Sequence, residues 1–397
     1  MFSIVLLRRN AAASFCFLLA ISTFSFSQTL KVLHTFKQTD GEFPYSGLVH
    51  GSDGYLYGTT FAGGTVGCGT VFKISTSGKF TSIYSFAGGN DGCNPQDSVI
   101  RDASGNLYGT TESGGTSNVG TVFKIDRSGR ESVLYAFQGG SDGASPITDL
   151  IRDKSGNLYG TTSSGGGSTV CVQGCGIAFK IDPSGNETIL HAFTGGLDGG
   201  PSGGLVRDSA GILYGPGFIG GQYGYGNIFE IDSAGNVTDL LDFGPGLSSN
   251  GDNPWNDLSF GPGAVLYGTT YEGGDLSACI GFGCGVVFSY SQGVETVLHA
   301  FGDPPSDVSL PSGPIARDAA GNLYGAAGSG GPYDFGAIYK VDPSGNETLF
   351  YSFRNGADGG EPDGRLYVTG TGTVYGTATI GGSGTDAGVG VVFKITP

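Results

Sequence analysis

Few residues in this chain could do chemistry, and most of them cluster. Trp255, the single tryptophan, closes the run Asp252-Asn253-Pro254-Trp255, with Tyr223 and Tyr225 before it and Tyr271, Glu272 and Asp275 after it. Exposed aromatic rings beside carboxylates suit carbohydrate or peptide binding, since rings stack on an apolar face while polar groups set orientation. These seven residues are the expected ligand-binding set. Asp252, Glu272 and Asp275 are also the nonrepeated acids that a polysaccharide-cleaving enzyme would need as an acid/base set. The competing reading buries Trp255 beneath a long loop, where tryptophan usually resides.

Cysteines and the N-terminus point to export. Arg8 and Arg9 precede the apolar stretch Ala11 to Phe26, and Ser25-Phe26-Ser27 offers small residues at a signal-peptidase site. Residues 1–27 are therefore expected to be a signal peptide, leaving 28–397 as a single domain. Cys16 lies in that leader without a lipobox, so no lipid anchor is expected. Six cysteines remain, falling as Cys171 with Cys175, Cys279 with Cys284, and Cys68 with Cys93. In an exported protein such pairs are expected as disulfides rather than zinc ligands.

The net charge is −16, and the leader holds two arginines and no acids, so the remainder is more acidic still. Such a surface excludes nucleic acid and anionic lipid as partners. Much of the acidity falls at turn positions and reflects turn chemistry. No second long apolar run follows the leader, so a secreted monomer that stays off the membrane is expected.

The elements that must position these side chains are announced by a repeat. Tyr-Gly pairs recur at Tyr57, Tyr108, Tyr159, Tyr214, Tyr267, Tyr324 and Tyr375, 51 to 57 residues apart. Each sits in one grammar: Gly-Asn-Leu-Tyr-Gly-Thr-Thr, then Gly-Gly, then Gly-Thr-Val-Phe-Lys-Ile, then a turn and an apolar strand ending in Ala-Phe. Turns such as Asp153 to Asn157 and Asp182 to Asn186 place Asp, Ser, Pro and Gly where hairpins want them. Four short antiparallel strands in about fifty residues describe a propeller blade. The chain begins with an unmatched fourth strand, Leu30 to Phe36, and ends with an unmatched third, Gly390 to Ile395. Joined, they complete a seventh blade and remove the open edges. An all-β, seven-bladed propeller with four strands per blade follows, its last blade closed by the N-terminal strand.

Several motifs are then absorbed by construction. His34, His191 and His299 share one repeat position, held elsewhere by Tyr84, Tyr135, Tyr351 or Leu241, and His50 stands alone. Outer strands of different blades cannot bring them to one ion with bonds of about 2 Å, so no metal and no cofactor is expected. The Asp-x-Ser-Gly-Asn runs lack a calcium loop's alternating acids, and the sequons at Asn186, Asn236 and Asn346 read as turn residues. The Gly-Gly loops precede no helix and lack a P-loop lysine. Arg101, Arg152, Arg207 and Arg317 recur after strand one as blade construction, with channel lining the alternative. The glycine after each repeat tyrosine is expected to admit a ring from the next blade.

Asp91-Gly92-Cys93-Asn94-Pro95, Gly105-Asn106-Leu107-Tyr108-Gly109-Thr110-Thr111 and Gly120-Thr121-Val122-Phe123-Lys124-Ile125 resemble the GloVer tandem repeat of exported bacterial proteins. The resemblance covers essentially all of the chain after the leader and recurs seven times. It implies export and no assigned activity. Relatives carry C-terminal sorting anchors, and none is visible before Pro397, so free release is expected. The function expected from all this is a noncatalytic binding or scaffold module for a glycan, peptide or protein partner, docking on the face that carries Trp255. A polysaccharide hydrolase or lyase is the alternative, and a purely structural surface protein a third.

Overall fold

The computed structural model describes residues 28–244, 249–304, 307–382 and 388–397. The expected signal peptide, residues 1–27, lies outside them. Seven antiparallel sheets form the ring. Blade one is Val49–His50, Tyr55–Thr60, Thr70–Ser75 and Phe80–Ser85, hydrogen-bonded in that order, and the other blades repeat it. Blade seven is built from both ends of the chain. Thr29–Thr35 pairs with Val391–Thr396, from Thr29 opposite Thr396 to Thr35 opposite Val391, with a one-residue bulge between Val32 and His34. His50 of blade one stacks on Tyr367 of blade seven at 4.6 Å across the same closure.

Blade four departs from the expected four strands. Gly200–Pro201 adds a fifth, pairing with the lengthened strand Leu213–Ile219. The cause is local. In most blades the linker touches the loop after strand two through one bridge, such as Glu42 with Ala62 or Cys93 with Ser113. In blade four that contact extends to two residue pairs.

The core is a chain of aromatic contacts between blades. The phenylalanine ending each fourth strand meets the third-strand ring of the next blade: Phe36 with Phe72, Phe86 with Phe123, Phe137 with Phe179, Phe193 with Phe229, Phe243 with Phe288, Phe301 with Tyr339, and Phe353 with Phe393. Centroids lie 4.8 to 5.5 Å apart and planes cross at 56 to 68°. All fourteen rings are buried. Burial stabilises each by roughly 1.5–3 kcal/mol, and the angled geometry adds about 0.5–1.5 kcal/mol per pair.

The repeat glycine serves this packing differently from the expectation. A Cβ at Gly58 would stand 2.7 Å from the Phe72 ring, and at Gly109 2.6 Å from Phe123. Both rings belong to the glycine's own blade, on the directly paired strand. The ring that needs room therefore comes from across the strand pair rather than from the next blade.

Other motif positions join blades too. The first threonine of Gly-Thr-Thr reaches the next blade's linker: Thr59 Oγ1 donates to Asp97 O at 2.9 Å, Thr161 to Gly203 O at 3.0 Å and Thr377 to Ser46 O at 2.7 Å. On the opposite face Arg101, Arg152 and Arg207 lie over Tyr57, Tyr108 and Tyr159 of the preceding blade, 5.5 to 5.7 Å from the ring centres. These arginines are construction, not channel lining. The turn asparagines are occupied as well: Asn186, Asn236 and Asn346 each donate from Nδ2 to the turn aspartate. The three cysteine pairs form disulfides, with Cα separations of 4.5, 5.2 and 5.4 Å. They are consistent with an oxidising, extracytoplasmic compartment. Among the described residues no helix is long and apolar enough to cross a membrane.

Blade six carries the one irregular ring. Tyr339 stands where its counterparts are phenylalanine, its hydroxyl is buried without a hydrogen-bond partner, and burial pushes its pKa up. A buried unpaired hydroxyl costs about 1–3 kcal/mol. Tyr339→Phe is therefore expected to raise stability by about 1–2 kcal/mol, read as a higher midpoint in urea at unchanged slope. A lower midpoint would show that the hydroxyl has a partner in solution.

Candidate functional site

The site is built by the residues that enter each first strand. Every blade begins with proline, three residues, then an aliphatic residue: Pro44 to Leu48, Pro95 to Val99, Pro146 to Leu150, Pro201 to Leu205, Pro254 to Leu258, Pro311 to Ile315 and Pro362 to Leu366. The aliphatic side chains are buried. The prolines pack on the glycine before the previous blade's third strand, where a Cβ at Gly69 would lie 2.7 Å from Pro95 Cδ and one at Gly120 2.4 Å from Pro146 Cδ. With both ends of the segment pinned, the three residues between them face the axis. They differ from blade to blade, and most of them line a cavity of about 460 Å³ at the mouth of the central channel.

Its floor is an ion cluster assembled from four blades. Arg365 of blade seven donates from Nε and Nη2 to Asp149 Oδ2 at 3.1 and 2.9 Å, and from Nη2 to Asp257 Oδ2 at 3.2 Å. Asp149 belongs to blade three and Asp257 to blade five, so the guanidinium reaches across the ring. Backbone amides hold the other oxygens: Ser98 N–H donates to Asp149 Oδ1 at 2.9 Å, and Gly204 N–H donates to Asp257 Oδ1. Gly47 admits this arrangement, because a Cβ there would collide with Arg365 Cβ.

One arginine does not neutralise the acids around it. Burial, then the charges of Asp149 and Asp257, push the Asp97 carboxyl well above the usual carboxylate range, against the pull of Arg365. Burial and Asp149 raise Asp257 to about 6. Burial also raises Asp363 to about 6, although Ser312 Oγ–H pulls it the other way. For Arg365, burial opposes the charge, but Asp149 and Asp257 outweigh it and hold the guanidinium protonated. The floor is thus a set of carboxyls crowded around one fixed cation, with Asp97 and Asp257 pushed above the usual carboxylate range.

The expected ligand-binding residues divide around this cavity. Trp255 and Tyr271 line it, and Trp255 is 49% exposed with its ring edge-on to Phe218 at 4.7 Å. Tyr45 of blade one lines it also. Tyr223 and Tyr225 are exposed in the blade-four loop, off the cavity wall. Asp252 is buried and bridges backbone to backbone with Glu272. Glu272 is half-buried and accepts from Asn253 Nδ2 at 3.3 Å. Asp275 is exposed and caps its own turn through Ser277, whose hydrogen bonds lower its pKa. None of these three acids lines the cavity. The acids that do include Asp97, Asp149, Asp257 and Asp363, legible only by aligning the proline-to-aliphatic segments, where Asp149 and Asp257 share a register position with Arg365.

Fold and site define a β-propeller with a polar, acid-floored channel mouth. The chain belongs to the Gloeobacter/Verrucomicrobia repeat family, whose model matches residues 19–172 and 168–393. Solved propellers share its fold at low identity. A putative 6-phosphogluconolactonase of Bacteroides fragilis is 17% identical with a TM-score of 0.52, over 87% of this chain and 90% of that one. A putative 6-phosphogluconolactonase of Bacteroides uniformis is 16% identical with a TM-score of 0.51, over 78% and 84%. A gluconolactonase of Xanthomonas campestris is 12% identical with a TM-score of 0.44, over 92% and 88%. No curated protein matches the chain.

Removing the cation would leave the floor carboxylates facing one another. Arg365→Met is expected to cost about 3 kcal/mol at pH 7.5, the lower end for a broken buried pair because a third of the side chain meets the lumen. The cost should shrink toward pH 5. Carboxyls with raised folded pKa values take up protons more readily than in the unfolded chain, so falling pH restores stability. Urea unfolding of both proteins at the two pH values checks this; a cost that does not change with pH would contradict the charge account.

Proposed function

We propose that the protein is an exported recognition module that binds a neutral saccharide across the mouth of its central channel. The reading rests on Trp255, half exposed at the edge of a polar cavity that Tyr271 and Tyr45 also line. Stacked rings supply the apolar face that a sugar's C–H surface needs, and the carboxyls and serines below accept and donate to hydroxyls. Charge selects among sugars. Asp97, Asp149, Asp257, Glu361 and Asp363 line the cavity against Arg365 alone, and Arg365 is already engaged by two carboxylates. Uronates, sulfated glycans and sugar phosphates are repelled.

A second reading has a specific observation behind it. Burial and neighbouring carboxylates push the Asp97 carboxyl well above the usual carboxylate range, the direction in which a general acid is tuned. A hydrolase or lyase would use Asp97 to protonate the leaving oxygen.

A glycan array followed by calorimetry on the hits separates these readings. Retention of uncharged polysaccharide, weakened more than about tenfold in Trp255→Ala and without product release, supports recognition. Undiminished binding in Trp255→Ala, or preference for anionic glycans, overturns it. Reducing-sugar release lost in Asp97→Asn with binding kept would establish the enzyme instead.

A further inference from the structure

Away from the channel, the outer edge of the ring repeats a three-way contact between blades. A ring near the end of the fourth strand meets an aspartate of the following linker: Tyr84 Oη donates to Asp91 at 2.6 Å, Tyr135 to Asp142 at 2.6 Å and Tyr351 to Asp358 at 3.0 Å. In two of these junctions a glutamate opening the next blade's fourth strand is the third member. Glu187 accepts from Tyr135 Oη at 3.1 Å, and Glu131 lies beside Asp91. At both junctions the phenol is hydrogen-bonded to the linker aspartate, while Oε1 of Glu131 and of Glu187 is shielded without a partner.

At the boundary of blades five and six the ring is His299, the aspartate Asp307 and the glutamate Glu347. Among the described residues it is the one junction that joins a histidine to both acids. His191 and His34 also face aspartates, at 2.9 and 3.3 Å, but the matching position in the next blade is Val237 or Phe80. His299 Nε2 stands 3.7 Å from Asp307 Oδ2, too far for a hydrogen bond. Nε2 of His299 and Oε1 of Glu347 are both shielded from solvent and lack hydrogen-bond partners. One donor atom from each of the three residues lies within 4.8 Å of the others.

The surroundings fix these donors. Gly302 N–H holds Asp307 Oδ2 at 2.8 Å and Val308 N–H holds Oδ1 at 2.7 Å. The edge of Phe301 sets the imidazole plane, centroids 5.0 Å apart. Donors around a tetrahedral ion with bonds of about 2 Å stand about 3.3–3.5 Å apart, close to the 3.7 Å between His299 Nε2 and Asp307 Oδ2 and wider than the hydrogen-bonded His191 pair at 2.9 Å. Two carboxylates balance a divalent charge. An imidazole among them selects zinc over calcium or magnesium, which take oxygen ligands.

We propose that His299, Asp307 and Glu347 bind a zinc ion that ties the outer strands of blades five and six, with water as the fourth ligand. The side chains of His299 and Asp307 are 20% and 17% exposed, enough for solvent to reach the open position. The other three-residue group of possible ligands, Cys279, Cys284 and Asp303, offers no thiolate because its cysteines form a disulfide.

The test is calorimetric titration of the chelator-treated protein with zinc chloride, paired with thermal unfolding. One zinc per chain and a raised melting temperature are expected, with no rise on adding calcium. His299→Tyr copies the Tyr84 and Tyr135 junctions, so it should fold and lose zinc affinity more than about tenfold. Glu347→Gln should weaken binding likewise, while His191→Tyr should leave it unchanged. Absence of zinc binding, equal binding by His299→Tyr, or loss in His191→Tyr instead would overturn the assignment.

Discussion

The structure depends on one contact made seven times, the edge-on meeting of a fourth-strand phenylalanine with the third-strand ring of the next blade. Each blade alone is a small twisted sheet with two apolar faces, and such a sheet is not stable in water. The aromatic pair is the deepest part of the surface that covers those faces. Because Phe36 meets Phe72 and Phe353 meets Phe393, the contact also runs through the blade shared by the two chain ends. Closure is thus the same interaction as blade packing, supplemented by the strand pairing from Thr29 to Thr35.

That constraint creates the channel. Seven sheets packed face to face leave their first strands around an axis, and those strands are only two residues long in most blades. The chain must therefore present its linker segments to the lumen. Proline at one end and an aliphatic residue at the other hold each segment, so the side chains between them are positioned by the scaffold. Binding residues can change there without loss of the fold. Trp255, Asp257, Asp149 and Arg365 are all such residues, which explains how side chains from distant parts of the sequence meet within hydrogen-bond distance.

The fold was legible because period, turn residues and complementary ends all reported one geometry. The fifth strand of blade four was not, since nothing in Gly200–Pro201 distinguishes a two-residue pairing from the single bridge of other linkers. The role of the repeat glycine was misplaced for a related reason: sequence shows that room is needed but not which ring fills it. Trp255 and Tyr271 stood out as departures from a consensus. Arg365 and its aspartates did not, because each sits beside a repeated aliphatic residue and resembles the turn acids that abound in this chain. Their significance is a property of the ring, as Asp149 and Arg365 are 216 residues apart and share only a register.

Variation at the outer edge follows the same logic with the opposite chemistry. A phenol has one proton to donate and lone pairs to accept with, so Tyr135 Oη lies within hydrogen-bond distance of both Asp142 and Glu187, at 2.6 and 3.1 Å. An imidazole in that position is shorter, and it offers a lone pair or a proton to one partner at a time. Beside His191, where the glutamate is absent, one histidine satisfies one aspartate at 2.9 Å. At His299 both acids remain, and Nε2 of the imidazole and Oε1 of Glu347 are each shielded without a hydrogen-bond partner. A repeat protein can tolerate such an imbalance in one junction because six others hold the ring, and a cation is the simplest species that satisfies all three groups at once.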